Sequence, residues 1–336
     1  MTIHVRAPGR VNLIGDHTDY TGGMVLPMAI DRWTEIRGVG AEAISLRSED
    51  EPLPAELDLT LEDPRTAEPH WAKYVAGVVA EMRPARGIAG TVTTDIPIGG
   101  GLSSSAALEL AVALALGFDG DVLELAQLCR RAEFRASGVP SGIMDQLVIA
   151  AGVAGHALLI DCGDLSIEPV AIPDGVEVVV KFVAHRTLVG SSYADRVAEC
   201  AAAESIIGPL RIATLDDAAS IPDAVVRARA QHVIGENLRV RQFGDALTAR
   251  DLETAGDLMI ASHRSLRDLY ETSTPAMDGA MEALAARPGV YGARMTGGGF
   301  GGCVVALTEA GALADGDGWR VRAVDGAHHV RGDDER

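Results

Sequence analysis

Apolar positions along the chain follow two alternating rhythms. Short runs with strand-like spacing occur at 3–7, 33–39, 43–48 and 88–94. They alternate with runs in which apolar side chains recur every three or four residues, at about 71–82, 104–117 and 121–136, the period of a helix. In DVLELAQLCRRAEF, the residues Val122, Leu125, Ala126, Leu128 and Cys129 fall near one face, as an amphipathic helix against a core requires. A short helix is expected at 142–151 and a strand at 156–161. The pattern restarts at 176 with the strand GVEVVVKFVA. Helical stretches follow at 191–206, 223–247, 251–270 and 275–287, and an apolar strand follows RMTGGGFGG. This order predicts an α+β chain in two lobes. Residues 1–170 form an N-terminal α+β domain and 171–326 a C-terminal one. The polar end, 327–336, is expected to be a disordered tail.

Bulk properties narrow the partners. A chain of 336 residues, 47% hydrophobic, is long enough for about two cores. Lys and Arg number 29 against 48 Asp and Glu, a formal charge of −19. Association with nucleic acid or an anionic membrane through bulk charge is therefore not expected. The apolar runs 106–118 and 147–160 contain Glu109 and His156 and are too short to span a bilayer. The N-terminal MTIHVRAPGR lacks the apolar core of a secretory signal. Four widely spaced cysteines without a CxxC pair read as reduced thiols of a cytoplasmic protein.

The most informative stretch is GGGLSSSAA at 99–107, between the β-rich TVTTDIPI and the apolar helix AALELAVALALGF. Strand, glycine loop and helix in that order let backbone N–H groups and a helix N-terminus surround phosphate oxygens. The serines supply helix caps or a hydroxyl for phosphate or metal. No GK[ST] closes the loop, so this is not a Walker motif.

Four further clusters carry candidate chemistry. In RAPGRVNLIGDHTDYTGGMVLPMAI (6–30), Asp16, His17 and Asp19 lie within four residues on glycine-flanked backbone, with Arg10 upstream. Short acids beside a histidine suit hydrogen bonds to the hydroxyls of a polyol. A metal site and a plain Asx turn are the competing explanations. In AEFRASGVPSGIMDQ (132–146), Glu133 ends one helix and Asp145 begins the next. Asp145 is either a helix cap or a carboxylate that orients and deprotonates a hydroxyl. Tyr193, in RTLVGSSYADR, either stacks on a sugar face or is an ordinary half-buried tyrosine. The glycines of MTGGGFGGC (295–303) allow close approach to another loop or to a ligand.

Taken together and in this order, these segments resemble galactokinases of the GHMP small-molecule kinase family. The N-terminal APGRVNLIGDHTDYTGG is similar to the sugar motif of that branch, GGGLSSSAA to the family's phosphate loop, and GGGFGGC to its third motif. Similarity extends through GIMDQ, TLVGSSY and SHRSLRDLYETSTPAMD (262–278), over about residues 5–307. The resemblance implies a two-lobed GHMP-kinase-like fold with the active site in the cleft between lobes. It further implies ATP-dependent phosphorylation of the C1 hydroxyl of galactose, with Mg²⁺. Asp145 and Arg10 would be catalytic. Gly99, Gly100, Gly101, Leu102, Ser103, Ser104 and Ser105 would surround the triphosphate, and Ser105 and Glu133 would hold the Mg²⁺. Asp16, His17, Thr18, Asp19, Gly142 and Tyr193 would contact the sugar.

Two departures from the family pattern bear on specificity and pH. Asp16 stands where galactokinases usually have Glu, a reach shorter by about 1.5 Å, at the sugar's C6 end. A related hexose, an amino sugar or a uronic acid is therefore the alternative acceptor. His185 stands where the family commonly has Lys or Arg near the catalytic Asp, and an imidazole there would make activity titrate near neutrality. A sugar and nucleotide sensor without turnover is disfavoured, because the phosphate loop is complete and Asp145, Arg10 and Glu133 are all present.

Overall fold

The computed structural model describes residues 2–185 and 192–331. The segment 186–191, with most of the TLVGSSY stretch, lies outside the described residues, as does 332–336.

Two sheets organise the chain. The first is built on β1 (Thr2–Ile14) and β2 (Met24–Ala41), long antiparallel partners joined by the loop 15–23. β3 (Ile44–Ser48), β4 (Ala55–Leu57) and β5 (Gly87–Thr94) extend it on the far side of β2, with β3 and β5 parallel. β6 (His156–Asp161) and β7 (Ser166–Ala171) form a hairpin that joins β2 near Met24. Helices α1 (Ala72–Met82), α2 (Ser104–Ala115), α3 (Val122–Ser137) and α4 (Met144–Ala151) pack together, with α2 and α4 against β1 and β2. α2 is buried nearly all round, the condition that an unbroken apolar helix requires.

The second sheet has the order β11-β8-β10-β9, from β8 (Val176–Ala184), β9 (Val290–Thr296), β10 (Gly302–Glu309) and β11 (Trp319–Val321). Its helices are α5 (Tyr193–Ile207), α6 (Leu215–Ala219), α7 (Ala224–Ala249), α8 (Leu252–Asp268) and α9 (Pro275–Ala285). Capping boxes at Asp121 and Thr214, and side-chain caps at Asp223, Asp251 and Thr274, set several helix starts. Two hydrophobic clusters result. One runs from β1 through α1–α4 and reaches β8 and β10; the other joins α5, α7, α9 and β9.

β1 changes character along its length. Among residues 2–6 Val5 alone is buried and the others are exposed or half-buried, but every residue from Ala7 to Ile14 is buried. β1 is covered by α2 and α4 of its own lobe and touched by α7, α8 and β9 of the other. The sheet strand that carries Arg10 is thus enclosed at the junction of the lobes.

The C-terminal stretch corrects an expectation. After β11 the chain returns to the first sheet: Asp31 N donates to Arg322 O (3.1 Å) and Val324 N to Ala29 O (3.2 Å). β12 (His328–His329) then pairs with β1 beside Val5 and Arg6. Residues 322–331 therefore belong with the first sheet, and 327–331 are not a loose tail. Their polar side chains hid this because the order comes from backbone pairing at a sheet edge, which side-chain polarity does not report. Arg6 Nε adds a hydrogen bond to His328 Nε2 (3.0 Å). No helix among the described residues is long and apolar enough to cross a membrane.

Candidate active site

A cleft of about 540 Å³ is lined from both halves of the chain, including Arg10, Asp16, His17 and Asp19 from the first strand and loop, the glycine–serine loop, Glu133, Gly142, Asp145, Tyr193, and Gly297 and Gly298. The loop between β5 and α2 is shaped by left-handed backbone. Gly101 has φ +78°, a conformation that glycine adopts without steric cost, and this turns its carbonyl to Arg10 Nη1 at 2.6 Å.

Ser103 occupies the N-cap position of α2 with φ +62°, but its side chain does not cap the helix. Its Oγ donates to Asp145 Oδ2 instead. The first-turn N–H groups of α2 are therefore left without a side-chain cap, at the end of the helix where partial positive charge gathers. Gly99, Gly101, Ser104 and Ser105 line the cleft at that point.

Arg10 and Asp145 form a forked pair. Arg10 Nε donates to Oδ1 and Nη2 to Oδ2, each at 2.7 Å. Arg10 is buried, while the Asp145 side chain is 29% exposed to the cleft. A carboxylate has about four acceptor directions. Arg10 and Ser103 occupy three of them, which leaves one on Oδ1 for a hydroxyl.

Glu133, on the last turns of α3, accepts from Ser105 Oγ (3.0 Å), Ser141 Oγ (3.1 Å) and Gln146 Nε2 (2.9 Å). Burial pushes its carboxyl above the ordinary value, and the nearby Asp145 adds to the shift. None of its hydrogen-bond donors is a cation.

At the opposite end, the loop 15–23 turns on itself. His17, at φ +67°, places Nδ1 3.0 Å from Tyr20 Oη. The His17 ring lies 5.4 Å from Tyr193 and 4.8 Å from Tyr270, centroid to centroid. Asp19 is half-buried, and a Cβ on residue 142 would overlap its Oδ2, so Gly142 leaves the space that Asp19 fills. Loss of water pushes the Asp19 carboxyl up to about 7, reinforced by the negative charges of Asp145 and Asp16.

The chain's similarity to known proteins agrees with this arrangement. Residues 2–36 match the galactokinase galactose-binding signature, 72–153 the GHMP kinase N-terminal domain, and 245–316 the GHMP kinase C-terminal domain. The galactokinase of Homo sapiens is 42% identical over 331 residues, covering 92% of this chain and 84% of the relative. That of Chloroflexus aggregans is 44% identical over 334 residues, with 91% and 83% covered. The chain belongs to the galactokinase family. The crystal structure of Lactococcus lactis galactokinase complexed with galactose superposes with a TM-score of 0.90 at 30% identity, covering 98% of this chain and 95% of that one. A mevalonate kinase, at 20% identity and a TM-score of 0.70, shares the fold. The family is one of sugar kinases with the two-lobed GHMP architecture.

Within this galactokinase-family site, several expected residues stand elsewhere than expected. Thr18 is fully buried, and its hydroxyl is engaged with the carbonyls of Gly15 (2.8 Å) and Met24 (2.7 Å). It clamps the loop and does not line the cleft. Leu102 is buried in the core and offers its carbonyl to Arg10 N (3.1 Å). Gly100 closes the turn on Pro97 O (3.0 Å), and neither Gly100 nor Leu102 lines the cleft. Asp16 lines the cleft but is already engaged: Oδ1 accepts from Gly297 N (2.8 Å) and Oδ2 sits 2.6 Å from Arg294 Nη2. His185 is exposed against Phe182 and lies outside the cleft lining, so the expected titration beside Asp145 has no geometric basis.

The sequence reading missed two groups. Arg294, fully buried on β9, also lies 3.9 Å from Glu236 on α7. Glu236 accepts from Gly15 N (3.0 Å) and Ser262 Oγ, and pairs with Arg239 (2.7 Å). Burial raises the Glu236 carboxyl, but Arg239, His232 and Arg294 outweigh it and hold the group at about 2. A charge inside the apolar strand VYGARMT was the available signal. The second group, Trp71, Tyr74, Val92, Ile98 and Leu108, forms an apolar extension of the cleft beyond the glycine loop. These residues come from separate elements with no local motif.

Proposed function

We propose that this chain transfers the γ-phosphoryl group of ATP to the C1 hydroxyl of galactose, giving galactose 1-phosphate and ADP. The observation that carries the reading is the Asp145 carboxylate. It is clamped by Arg10 and Ser103 with one free acceptor direction, between an uncapped helix N-terminus and the galactose-binding signature.

In this reading the apolar extension around Trp71 and Tyr74 receives the adenine. The loop from Gly99 to Ser105 and the α2 N-terminus receive the phosphates through backbone N–H groups. Asp19 and His17 hydrogen-bond the sugar hydroxyls, Gly142 leaves room for Asp19, and Tyr193 closes the sugar side. The free direction on Asp145 Oδ1 orients the C1 hydroxyl. As the bond from that oxygen to the γ-phosphorus forms and the bond to the β–γ bridging oxygen breaks, the hydroxyl proton passes to Asp145. Arg10, held at the junction of loop and carboxylate, offsets the negative charge spread over the transferring group.

Ser105 and Glu133 fit a divalent cation. Their donors are hard oxygens, and Glu133 is a buried carboxylate whose hydrogen-bond donors are all neutral. Mg²⁺ bound there would neutralise phosphate charge during transfer. A cytoplasmic setting, where ATP is supplied, suits these substrates.

The test is coupled ADP release with Mg-ATP against galactose and its C2-, C4- and C6-altered analogues, with Asp145→Asn as control. A galactose optimum that the control abolishes supports the assignment. Turnover of a C6-altered sugar above galactose would favour the second reading, a C1 kinase for a related hexose. Asp16 motivates that alternative, because both its oxygens are already engaged by Gly297 and Arg294.

A further inference from the structure

Glu109 is the one charged-type residue in the apolar helix α2, and it is completely buried. Among the described residues, neither of its carboxyl oxygens has an aligned hydrogen-bond partner. The polar side chain within reach is Gln146, whose Nε2 gives one of its two N–H groups to Glu133 and whose Oε1 also lacks a partner. An ionised Glu109 would thus leave three buried oxygen acceptors with at most the second Nε2 hydrogen to share among them. Each such orphan costs roughly 1–3 kcal/mol. A single proton on Glu109 resolves the problem, because the acid can donate to Gln146 Oε1.

The surroundings agree. Glu133 and Asp145 face this compartment as like charges, with Tyr74 and Cys129 at its edge. Two carboxylates in one dry space do not both ionise readily. Glu133 has three donors and Glu109 has none aligned, so the proton belongs on Glu109. Burial and the charge of Glu133 push the Glu109 carboxyl well above the usual range.

We propose that Glu109 is a neutral carboxylic acid that donates to Gln146 Oε1, fixes the orientation of that amide, and so aims Gln146 Nε2 at the cation-binding oxygens of Glu133. Glu109 is a positioning residue: it touches neither substrate nor cation and acts through Gln146. The inference rests on the cation site proposed above for Ser105 and Glu133.

The test joins infrared spectroscopy with binding of Mn²⁺-ATP, followed by calorimetry in the absence of sugar. At neutral pH the protein should show the C=O stretch of a protonated carboxyl that Glu109→Gln removes. Glu109→Gln supplies an N–H donor of the same shape and should keep cation-dependent binding within about threefold of the parent. Glu109→Leu removes the donor and should weaken it on the order of 10-fold or more, the usual effect of losing a group that orients a metal ligand. Absence of the infrared band, or parental binding by Glu109→Leu, would overturn the proposal. Glu133→Gln and Ser105→Ala serve as separate arms. If they leave Mn²⁺ dependence unchanged, the cation site is wrong, while the infrared band still decides the protonation of Glu109.

Discussion

Asp19 occupies the space that a side chain on residue 142 would fill: a Cβ built on Gly142 overlaps the Asp19 Oδ2 atom. The loop after α3 and the loop after β1 therefore interlock at the sugar end of the cleft. Gly142→Ala should push Asp19 out of register with the sugar hydroxyls. Displacements of about 1 Å in a positioned group can cost about 100-fold, so kcat/KM for galactose should fall by that order. The KM for ATP should change less, since the group that a Cβ at 142 meets is Asp19, outside the glycine–serine loop. Steady-state kinetics in both substrates checks this, and an unchanged galactose KM would remove Asp19 from the binding site.

The fork between Arg10 and Asp145 carries a different expectation. Asp145→Asn keeps an oxygen for one arm of the guanidinium but replaces the other acceptor with an amide that cannot take a proton. Turnover should drop by about 10²- to 10⁴-fold, the range of a lost general base. Nucleotide binding, measured by calorimetry, should change little because the loop and the α2 N-terminus are untouched. Near-parental kcat in this variant would exclude the assigned role.

These two sites were legible in the sequence because each is punctuated locally, by glycines, by short acids, and by the junction of an amphipathic helix with the next. What escaped was non-local. Residues 8–14 read poorly as strand because β1 is buried on both faces there, which erases the alternation that signals a half-exposed strand. Arg229, His232 and Glu236 lie on the buried side of α7, yet a search for apolar periodicity passes over polar residues at those positions. Their spacing groups Asp16 and Thr18 with their neighbours as sugar contacts, but Arg294 and Gly297 claim the first and two backbone carbonyls the second. The partners of Asp16 lie in the other half of the chain, and those of Thr18 in its own loop and at the first residue of β2.

The raised carboxyl of Asp19 makes sugar binding depend on pH. With its group near 7, Asp19 is charged above that pH and neutral below it, and the charged form is the stronger acceptor for two hydroxyls. The KM for galactose should therefore rise as pH falls below about 7, and Asp19→Asn should flatten that dependence while weakening binding throughout. Stability runs the other way. The folded protein holds a proton that the unfolded chain releases above its ordinary value near 3.8. Folding therefore loses stability as pH rises from about 4 to about 7 and levels off beyond. Asp19→Asn should raise the Tm of the sugar-free protein more at pH ~8 than at pH ~4. Equal shifts at both pH values would contradict a carboxyl titrating near neutrality.

Arg294 is a buried cation set between Asp16 and Glu236, at 2.6 and 3.9 Å, and its Nη1 also reaches the carbonyls of Asn12 (3.3 Å) and Leu13 (3.4 Å). It ties β9 to the end of β1 and, through Glu236, to the backbone of Gly15. Removing one partner from a buried ionic group leaves the others uncompensated, typically at a cost of about 3–5 kcal/mol. Arg294→Met should lower Tm on the order of 10 °C and raise the galactose KM, because the loop carrying His17 and Asp19 hangs from this anchor. Lost charge balance and lost packing are separable by a second substitution. Glu236 keeps Arg239 at 2.7 Å, so the carboxylate stranded by the loss is Asp16. If that stranding is the damage, adding Asp16→Asn to Arg294→Met should recover a large part of the Tm. If the double variant melts no higher than the single one, the contribution of Arg294 is its fit between β9 and β1, and the ionic account fails.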